Sequence, residues 1–488
     1  MKRLLYTLVA ALVLVSCMDD EDFAADASTR LTIRRDTVNL GAVIYDETAT
    51  TDTLKVFNEN AAGLRIRRVW LEGGADSPFR VNMDGVFLAD GAAEDFEVLA
   101  RDSIFAFLSF HAPGVGDADS LVVTDRLHFL TEGGVDQSVV LKATSMGAVK
   151  FYGSVLTDEE VVFDAARPYQ IFDSLVVSRN TTLTLREGTR LLFHPGAELV
   201  VHGRLISEGT PEHNVSLQGD RLGNMLSQIP YDRVPGQWGG VHFTEHSYDN
   251  LLRYTDIHSG QYGIRLDSCD MERMKLQMEG CLVHNSGADG IYARNCRMSV
   301  SNSQISNHAG HCLNLYGGYH TFLHCTVAQF YPLVGGYGVA LNFTNHDEFI
   351  RLPLEQALFE NCIITGRNAD DIMGEQSKRY RDCAFNYAFT HCLLNTPRVD
   401  DISVEEHFTA CLWEGDDKEH RGASNFAEEF DYDKLTFRFE LDSLSQAVGT
   451  ASLSLARTLP TDRFGRSRLA DGAPDMGCYE WQPRREEE

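Results

Sequence analysis

Apolar positions in the middle of the chain follow a short pattern that recurs seven times between Leu252 and Trp413. Each copy has a large apolar residue, two further residues, a small or sulfur-containing residue, one more residue and a second apolar residue. The copies are 26, 22, 22, 37, 30 and 19 residues apart. A fixed pattern at irregular spacing indicates stacked coils joined by loops of different length. The copies are Leu252/Thr255/Ile257, Met278/Cys281/Val283, Val300/Ser303/Ile305, Phe322/Cys325/Val327, Phe359/Cys362/Ile364, Phe389/Cys392/Leu394 and Phe408/Cys411/Trp413.

Each copy predicts a sharp bend followed by a strand. Gly280, Asn302 and Asn361 stand at the expected bend, and these residue types tolerate a left-handed backbone. After the bend, the small residue and the second apolar residue both point inward, as alternation along a strand requires. A further short strand is expected in five copies, beginning at Gly263-Ile264, Gly290-Ile291, Cys312-Leu313, Gly338-Val339 and Asp371-Ile372.

Three short strands per turn, with no helical pattern between them, predict a right-handed parallel β-helix. Its start is expected near Lys150, because Leu175, Leu183, Leu191 and Leu199 follow at intervals of eight residues. The predicted helix spans residues 150–481, including a C-terminal closing segment.

A different pattern precedes the helix. Residues 30–146 alternate between apolar and polar positions in six or seven segments separated by Gly, Asp and Asn. Such short, regularly spaced strands predict a β-sandwich, so the fold class is all-β, with a sandwich followed by a β-helix. The expected strands begin at Leu31, Asp52, Leu64, Phe79, Ser103, Leu127 and Ser138.

The start of the chain has the features of a targeting segment. A basic head is followed by an apolar run from Leu4 to Val15, which is too short to span a bilayer. The run closes with Leu14-Val-Ser-Cys17, which resembles the lipobox of bacterial lipoproteins and implies lipidation at Cys17. The acidic run Met18–Asp22 resembles the surface-export signal of lipoproteins from Bacteroides-like bacteria. We therefore expect a signal peptide at residues 1–17 and an acidic tether at 18–29, although an ordinary secretory signal and a solvated linker are alternatives.

Charge and cysteine content narrow the choice of partners. The net charge of −28 disfavours nucleic acid, which prefers basic patches. Five of the eleven cysteines occupy the same inward slot of successive copies, where parallel side chains suit a disulfide poorly. We interpret them as buried thiols that act as small apolar residues. No CxxC pair or His/Cys ligand spacing is present, so we expect no metal, with metal binding by these cysteines as the alternative. No Gly-rich phosphate loop or dinucleotide fingerprint occurs, so we also expect no cofactor.

Several strings in the second half resemble a known family. "GQWGGVHF", "FENCIITGR" and the terminal "GAPDMGCYEW" resemble pectate-lyase-like β-helix surface proteins with a choice-of-anchor C-terminal region, over roughly residues 150–481. In that family the last string closes the end of the helix. The order of strands before the helix resembles immunoglobulin-like domains of the abnormal-spindle/hydin type. The resemblance implies an exported protein with a loose kinship to polysaccharide enzymes, and it does not imply one reaction.

The catalytic strings of related enzymes are missing. Neither an Asn-Thr-Asp, Gly-His-Gly and Arg-Ile-Lys set nor a calcium-binding aspartate group occurs. "HAGHC" at 308–312 lacks the required glycine context.

One predicted surface still carries binding chemistry. Along the strands that begin with Gly-Ile, the outward positions are Arg265, Tyr292, Asn314 and Ala340. The positions two before each inward apolar residue are Tyr262, Asp289, His311, Tyr337 and Asp370, with Asp267 and Arg294 beside them. Tyrosine faces can stack on sugar rings, while Asp and Arg bond hydroxyls or carboxylates. Asp289 with His311 could also act as an acid and base, and an ordinary solvated face is the alternative.

We therefore expect an outer-membrane lipoprotein that faces the cell exterior. Its membrane partner is the bilayer through the lipid anchor, and its ligand is a polysaccharide or a host or bacterial surface protein. The expected function is non-catalytic glycan binding or adhesion at Tyr262, Arg265, Asp289, Tyr292, His311 and Asn314. A polysaccharide lyase or glycoside hydrolase is the alternative.

Overall fold

The computed structural model describes residues 22–226, 228–333, 338–398, 402–416, 419 and 421–483. The predicted signal peptide, Cys17 and the first residues of the predicted tether lie outside the described residues. The chain divides into two compact units, with the boundary between Gly147 and Ala148. Within the described ranges, no helix combines the length and the apolar character needed to cross a membrane.

The described part of the first unit, residues 22–147, contains eleven strands. They are β1 Phe23–Ala24, β2 Thr32–Ile33, β3 Thr37–Ile44, β4 Asp52–Phe57, β5 Gly63–Leu71, β6 Phe79–Met83, β7 Val86–Phe87, β8 Ala92–Val98, β9 Ser103–Phe110, β10 Ser120–Thr131 and β11 Asp136–Met146. One sheet has the order β1-β5-β10-β11-β3, with β8 paired to β5, and the other has the order β2-β4-β9-β6-β7. Apolar side chains from both sheets form one core, so this unit is a β-sandwich.

All seven strands expected here are present, and four further strands were not expected. The unexpected strand β3 contains Gly41 at φ +77°, and β8 contains Asp95 at φ +63°. Both residues interrupt the alternation of a regular strand. The apolar pattern alone therefore did not reveal these two strands.

The second unit consists of coils whose strands pair in parallel with the equivalent strands of the next coil. The first ladder of strands contains β13 Glu160–Phe163, β15 Thr182–Arg186, β18 Arg204–Glu208, β23 Asn250–Arg253, β26 Leu276–Glu279, β29 Arg297–Ser301, β32 Gly318–Leu323, β37 Leu354–Glu360, β40 Phe385–Thr390 and β42 Phe408–Thr409.

The second and third ladders together form the longer sheet of this unit. The second contains β16 Arg190–Phe193, β19 Val215–Gly219, β24 Thr255–His258, β27 Leu282–His284, β30 Gln304–Ser306, β33 Thr326–Gln329, β38 Ile363–Gly366, β41 Leu393–Leu394 and β43 Leu412–Trp413. The third contains β17 Glu198–Val201, β22 Val241–Phe243, β25 Ile264–Leu266, β28 Ile291–Arg294, β31 Leu313–Tyr316, β34 Leu341–Thr344 and β39 Ile372–Glu375. The long strands β12 Val149–Leu156 and β14 Tyr169–Val177 begin this sheet.

Short elements complete the described chain. Two hairpins leave the coils, formed by β20 Asn224–Leu226 with β21 Ile229–Pro230 and by β35 His346–Asp347 with β36 Ile350–Arg351. Helical turns cover Gly74–Asp76, Ala89–Gly91, Tyr231–Arg233, Ile402–Glu405, Glu414–Asp416, Gly422–Asn425 and Leu453–Ala456.

The recurring sequence pattern corresponds to the corner between the first and second ladders. The second of the two residues after the first apolar position has a positive φ in all seven copies. Gly280, Asn302 and Asn361 confirm the predicted bend. The same left-handed conformation occurs at Tyr254, His324, His391 and Ala410. The stacked coils therefore impose it on residues that would not choose it in isolation.

The inward cysteines are buried or half-buried, and all ten cysteines in the described part of the chain have free thiols, as expected. The structure adds a polar role. The Cys281 thiol donates to the carbonyl of Leu252 at 3.3 Å, and the Cys362 thiol donates to the carbonyl of Phe322 at 3.4 Å. In each case the acceptor belongs to the first apolar residue of the preceding copy. The slot is therefore not purely apolar, which explains why serine occupies it at Ser303.

The C-terminal segment, residues 421–481, lies along the side of the coils. Phe426, Phe430 and Phe439 pack with Ile363 and Leu393 on the outer face of the second ladder. Farther along, the backbone N–H of Gly477 donates to the carbonyl of Asn361 at 2.8 Å. The string that resembles a helix-closing motif thus binds the bends of middle coils.

Candidate functional site

The predicted surface lies on the outer face of the third ladder. Arg265 pairs with Tyr292, Tyr292 pairs with Asn314, and Asn314 pairs with Asn342 in the strand register. These residues therefore form one outward column with a step of about 4.8 Å between coils. The sequence correctly predicted the first three positions of this column.

The fourth predicted position was wrong. The strand expected at Gly338-Val339 begins at Leu341, and Ala340 is buried in the core. Asn342 takes the outward place and donates from Nδ2 to Asn314 Oδ1 at 2.8 Å. Tyr337 lies outside the described residues. The repeated text Leu313-Asn-Leu and Leu341-Asn-Phe was the signal that would have given this register.

Asp289 does not form an acid–base pair with His311. Its Oδ1 accepts the backbone N–H of His311 at 2.8 Å, and its Oδ2 accepts Asn314 Nδ2 at 2.7 Å. The His311 ring uses Nδ1 to accept the backbone N–H of Val339 at 3.0 Å. Burial lowers the pKa of His311, although the charge of Asp289 acts in the opposite direction. Asp289 thus fixes the backbone and Asn314, and it positions the column instead of presenting a reactive carboxylate.

The lower end of the face is a small charged network. Arg265 Nε lies 3.4 Å from Asp267 Oδ1, and Asp267 Oδ2 lies 2.8 Å from His242 Nε2. Tyr262 lies beside this network, where burial and then the neighbouring Glu198 raise the pKa of its hydroxyl. Tyr262 therefore remains a neutral hydroxyl, while the Arg265 side chain is about half exposed.

The upper part of the face is aromatic. The rings of Tyr292 and Tyr316 lie 5.5 Å apart at an angle of 43°. Arg294 forms an ion pair with Asp347 of the adjoining hairpin, and that pairing, followed by Tyr292, raises the pKa of Arg294. The result is a partly exposed aromatic pair bordered by a neutralised charge pair.

A second polar cluster lies on the outer face of the second ladder. His258 Nδ1 lies 2.8 Å from Asp256 Oδ1, and His284 Nε2 lies 3.1 Å from the same oxygen. The two rings stack with centroids 4.9 Å apart. A histidine directly after the second apolar residue in two successive copies was the sequence signal for this cluster.

Charge attraction dominates inside this cluster. Burial alone would raise the pKa of Asp256, but His258 and His284 outweigh it and hold that pKa well below its ordinary 3.8. Burial likewise lowers the pKa of His258, and Asp256, with a smaller contribution from Asp232, reverses the shift and raises it.

Two buried carboxyls near the C-terminal segment are structural. Asp371 accepts Nδ2 of Asn368 and of Asn395, each at 2.8 Å. Glu414 accepts Asn425 Nδ2 and the backbone N–H of Gly422, each at 2.9 Å. Burial raises the pKa of Asp371 to about 6 and that of Glu414 to about 7. Both side chains belong to residues that solvent hardly reaches, so they cannot meet a polymeric substrate.

Comparison with known proteins supports the fold of the second unit. The family model described as "Right handed beta helix region" matches residues 239–396. No curated protein matches the chain in sequence.

Three solved structures show low similarity. An ASH/PapD-like domain of human CEP192 is 12% identical, with a TM-score of 0.17, over 24% of this chain and 87% of that chain. A family 123 glycoside hydrolase from Clostridium perfringens is 8% identical, with a TM-score of 0.17, over 24% of this chain and 26% of that chain. The catalytic unit of a GH87 α-1,3-glucanase from Streptomyces thermodiastaticus is 10% identical, with a TM-score of 0.17, over 74% of this chain and 87% of that chain. Similarities of this size carry no information about function. The three parallel ladders and the family match together identify a right-handed parallel β-helix.

Proposed function

We propose that this chain is a lipid-anchored cell-surface protein that binds a glycan without catalysis on the outer face of the third ladder. The observation that carries the proposal is the in-register column Arg265–Tyr292–Asn314–Asn342. Its step of about 4.8 Å is comparable to the length of a sugar unit in an extended polysaccharide. The exposed Arg265 and the half-buried Tyr292 and Asn342 come from different coils and can therefore contact different sugars, while the buried Asn314 lies between them as support.

The charges on this face favour a neutral glycan over a uronate polymer. Arg265 and Arg294, the two arginines of the face, are each paired with an aspartate, and Asp289 adds a further carboxylate. The whole chain carries a net charge of −28, so a polyanion would be repelled at long range. Both oxygens of Asp289 bond protein groups, which supports binding over acid–base catalysis.

Tyr292→Ala is expected to weaken glycan binding about tenfold or more, because an aromatic contact contributes roughly 1–2 kcal/mol. Binding is measured by affinity electrophoresis in soluble neutral glucans, galactans and mannans, with polygalacturonate and alginate as acidic comparisons. Tyr319→Ala is the matched control, since Tyr319 lies on the first ladder. Equal affinity of wild type and Tyr292→Ala, or retardation by the acidic polymers alone, would contradict the proposal.

The lipid anchor rests on the lipobox-like string that ends at Cys17. Cys17→Ser is expected to leave the precursor unprocessed or to release the protein from the membrane, because the serine hydroxyl cannot take the thioether-linked lipid. Detergent-phase partitioning and intact mass report the outcome. An unchanged membrane fraction with an unchanged mass would exclude this anchor.

In this proposal, the sandwich unit has a non-catalytic role. Its strand order resembles immunoglobulin-like modules, which serve as structural or binding domains. Because every residue of the column belongs to the second unit, removal of residues 30–146 should leave the glycan affinity of the column unchanged.

A further inference from the structure

Three side chains of metal-binding types, one aspartate and two histidines, converge on the outer face of the second ladder, which is not the ladder of the column proposed to bind glycan. Asp256 and His258 belong to β24, and His284 belongs to β27. Their ligand atoms all lie within 4.8 Å of one another. The strand register fixes this arrangement, because His258 pairs directly with His284.

The distances fit a coordination sphere. The two imidazole nitrogens lie 2.8 and 3.1 Å from Asp256 Oδ1. Ligands at the roughly 2.1 Å typical of zinc stand about 3.4 Å apart in a tetrahedron. To hold a cation, the two nitrogen–oxygen distances need to lengthen by about 0.3–0.6 Å, and the two nitrogens already lie within 4.8 Å of each other. Two imidazole nitrogens beside one carboxylate oxygen can either hydrogen-bond to that oxygen or, together with it, bind one cation.

A fourth side chain, which brings a second carboxylate, lies beside this group. Asp232 Oδ1 is buried and has no hydrogen-bond partner, and such an atom is normally satisfied by a protein group, a water molecule or an ion. Asp232 belongs to the turn Tyr231–Arg233, whose Arg233 carbonyl accepts Asn285 Nδ2 at 2.9 Å. Because Asn285 directly follows His284, this bond holds the turn next to the cluster.

We propose that Asp256, His258 and His284, with Asp232 beside them, form a binding site for one divalent transition-metal ion of the zinc class. Two imidazole nitrogens with carboxylate oxygens suit Zn²⁺ and its neighbours in the first transition series. Ca²⁺ and Mg²⁺ prefer sets made of oxygen atoms alone. This donor set therefore selects against the cations that acidic surface clusters usually attract.

The site has an exposed side and a structural connection. The side chains of Asp256 and His284 are each 23% exposed, so a water molecule or a ligand group can complete the coordination. The turn that carries Asp232 also bonds the C-terminal segment, since Arg233 donates to Thr436 Oγ1 at 2.6 Å. A bound ion thus joins two coils to a turn that is itself fastened to the C-terminal segment.

Calorimetric titration of the full chain with Zn²⁺, after chelator treatment and without a polyhistidine tag, tests the proposal. We expect one Zn²⁺ per chain in the wild type. His258→Gln and His284→Gln should each weaken that binding at least about 100-fold, because removing a ligand has a larger effect than removing a group behind it. Asp232→Asn should weaken it at least several-fold. Substitution with Co²⁺ should give visible absorption bands that disappear in the same variants.

His194→Gln is the matched control. His194 Nδ1 lies 2.9 Å from Asp220 Oδ2, and Gln170 Nε2, not a second imidazole, donates to the same oxygen. This variant should bind Zn²⁺ as the wild type does. Circular dichroism identifies any variant that fails to fold, and the wild-type titration alone decides the proposal in that case. Absence of stoichiometric binding in the wild type, or equal losses in His194→Gln, would overturn the site. Unchanged affinity in Asp232→Asn would overturn the inclusion of Asp232.

Discussion

Replacing Arg468 with alanine is expected to lower the free energy of unfolding of the β-helix by about 3–5 kcal/mol, the range for breaking a buried ion pair. The Arg468 side chain is fully buried and lies 3.1 Å from Glu480 Oε2. It also donates to Asn302 Oδ1 and to the carbonyl of Gly477, each at 3.0 Å. Its removal leaves the buried Glu480 carboxyl and the Asn302 side chain without their guanidinium partner and detaches the C-terminal segment from the bend at Asn302.

Urea unfolding followed by tryptophan fluorescence measures this change. The matched control is Arg438→Ala in the same segment, because Arg438 pairs with Glu428 at 3.0 Å and both side chains are about half exposed. An exposed pair contributes about 0–1 kcal/mol. A loss in Arg468→Ala no larger than that of the control would show that the C-terminal segment does not stabilise the coils.

The free energy of unfolding of Glu414→Gln, minus that of the wild type, is expected to increase by about 2–3 kcal/mol when the pH rises from 5 to 8. Burial raises the pKa of Glu414 from the ordinary 4.5 to about 7, against the opposite effects of its hydrogen bonds and of Arg421. The folded state therefore binds the proton more tightly than the unfolded state. Stability that the protonated form provides at low pH is lost as the pH rises from about 4.5 through 7. Glutamine cannot ionise, so the variant lacks this loss.

The difference between variant and wild type is the quantity to measure, because other groups contribute to the absolute slope. Burial lowers the pKa of His320, for example, to about 4. Its titration therefore makes the free energy of unfolding rise with pH, which is opposite to the effect of Glu414. Glutamine satisfies only one of the two donors that reach Glu414, which adds a constant offset without changing the slope. A flat difference for Glu414→Gln would mean that this carboxyl is ionised when buried.

The sequence alone determined which residues of the repeated pattern face the core of the β-helix. One apolar residue stands on each side of the bend in all seven copies of the pattern, so the spacing of Phe322, Cys325 and Val327 identified a coil without knowledge of its neighbours. The bend at Gly280, Asn302 and Asn361 followed from residue type. At His324 and His391 it did not, because there the left-handed conformation is stabilised by stacking on adjacent coils.

Tertiary structure decided which residues face outward and which of them lie next to each other. Val339 and Leu341 are both apolar and two residues apart, so a period of two could not distinguish the strand from the loop before it. The strand register places Leu341 beside Leu313 and puts Asn342 in the outward column. Likewise, Asp256 and His284 are 28 residues apart in the chain. Only parallel stacking of their coils brings their polar atoms together. Outward-facing polar residues leave no apolar periodicity in the sequence, so their neighbours on adjacent coils could not be predicted from it.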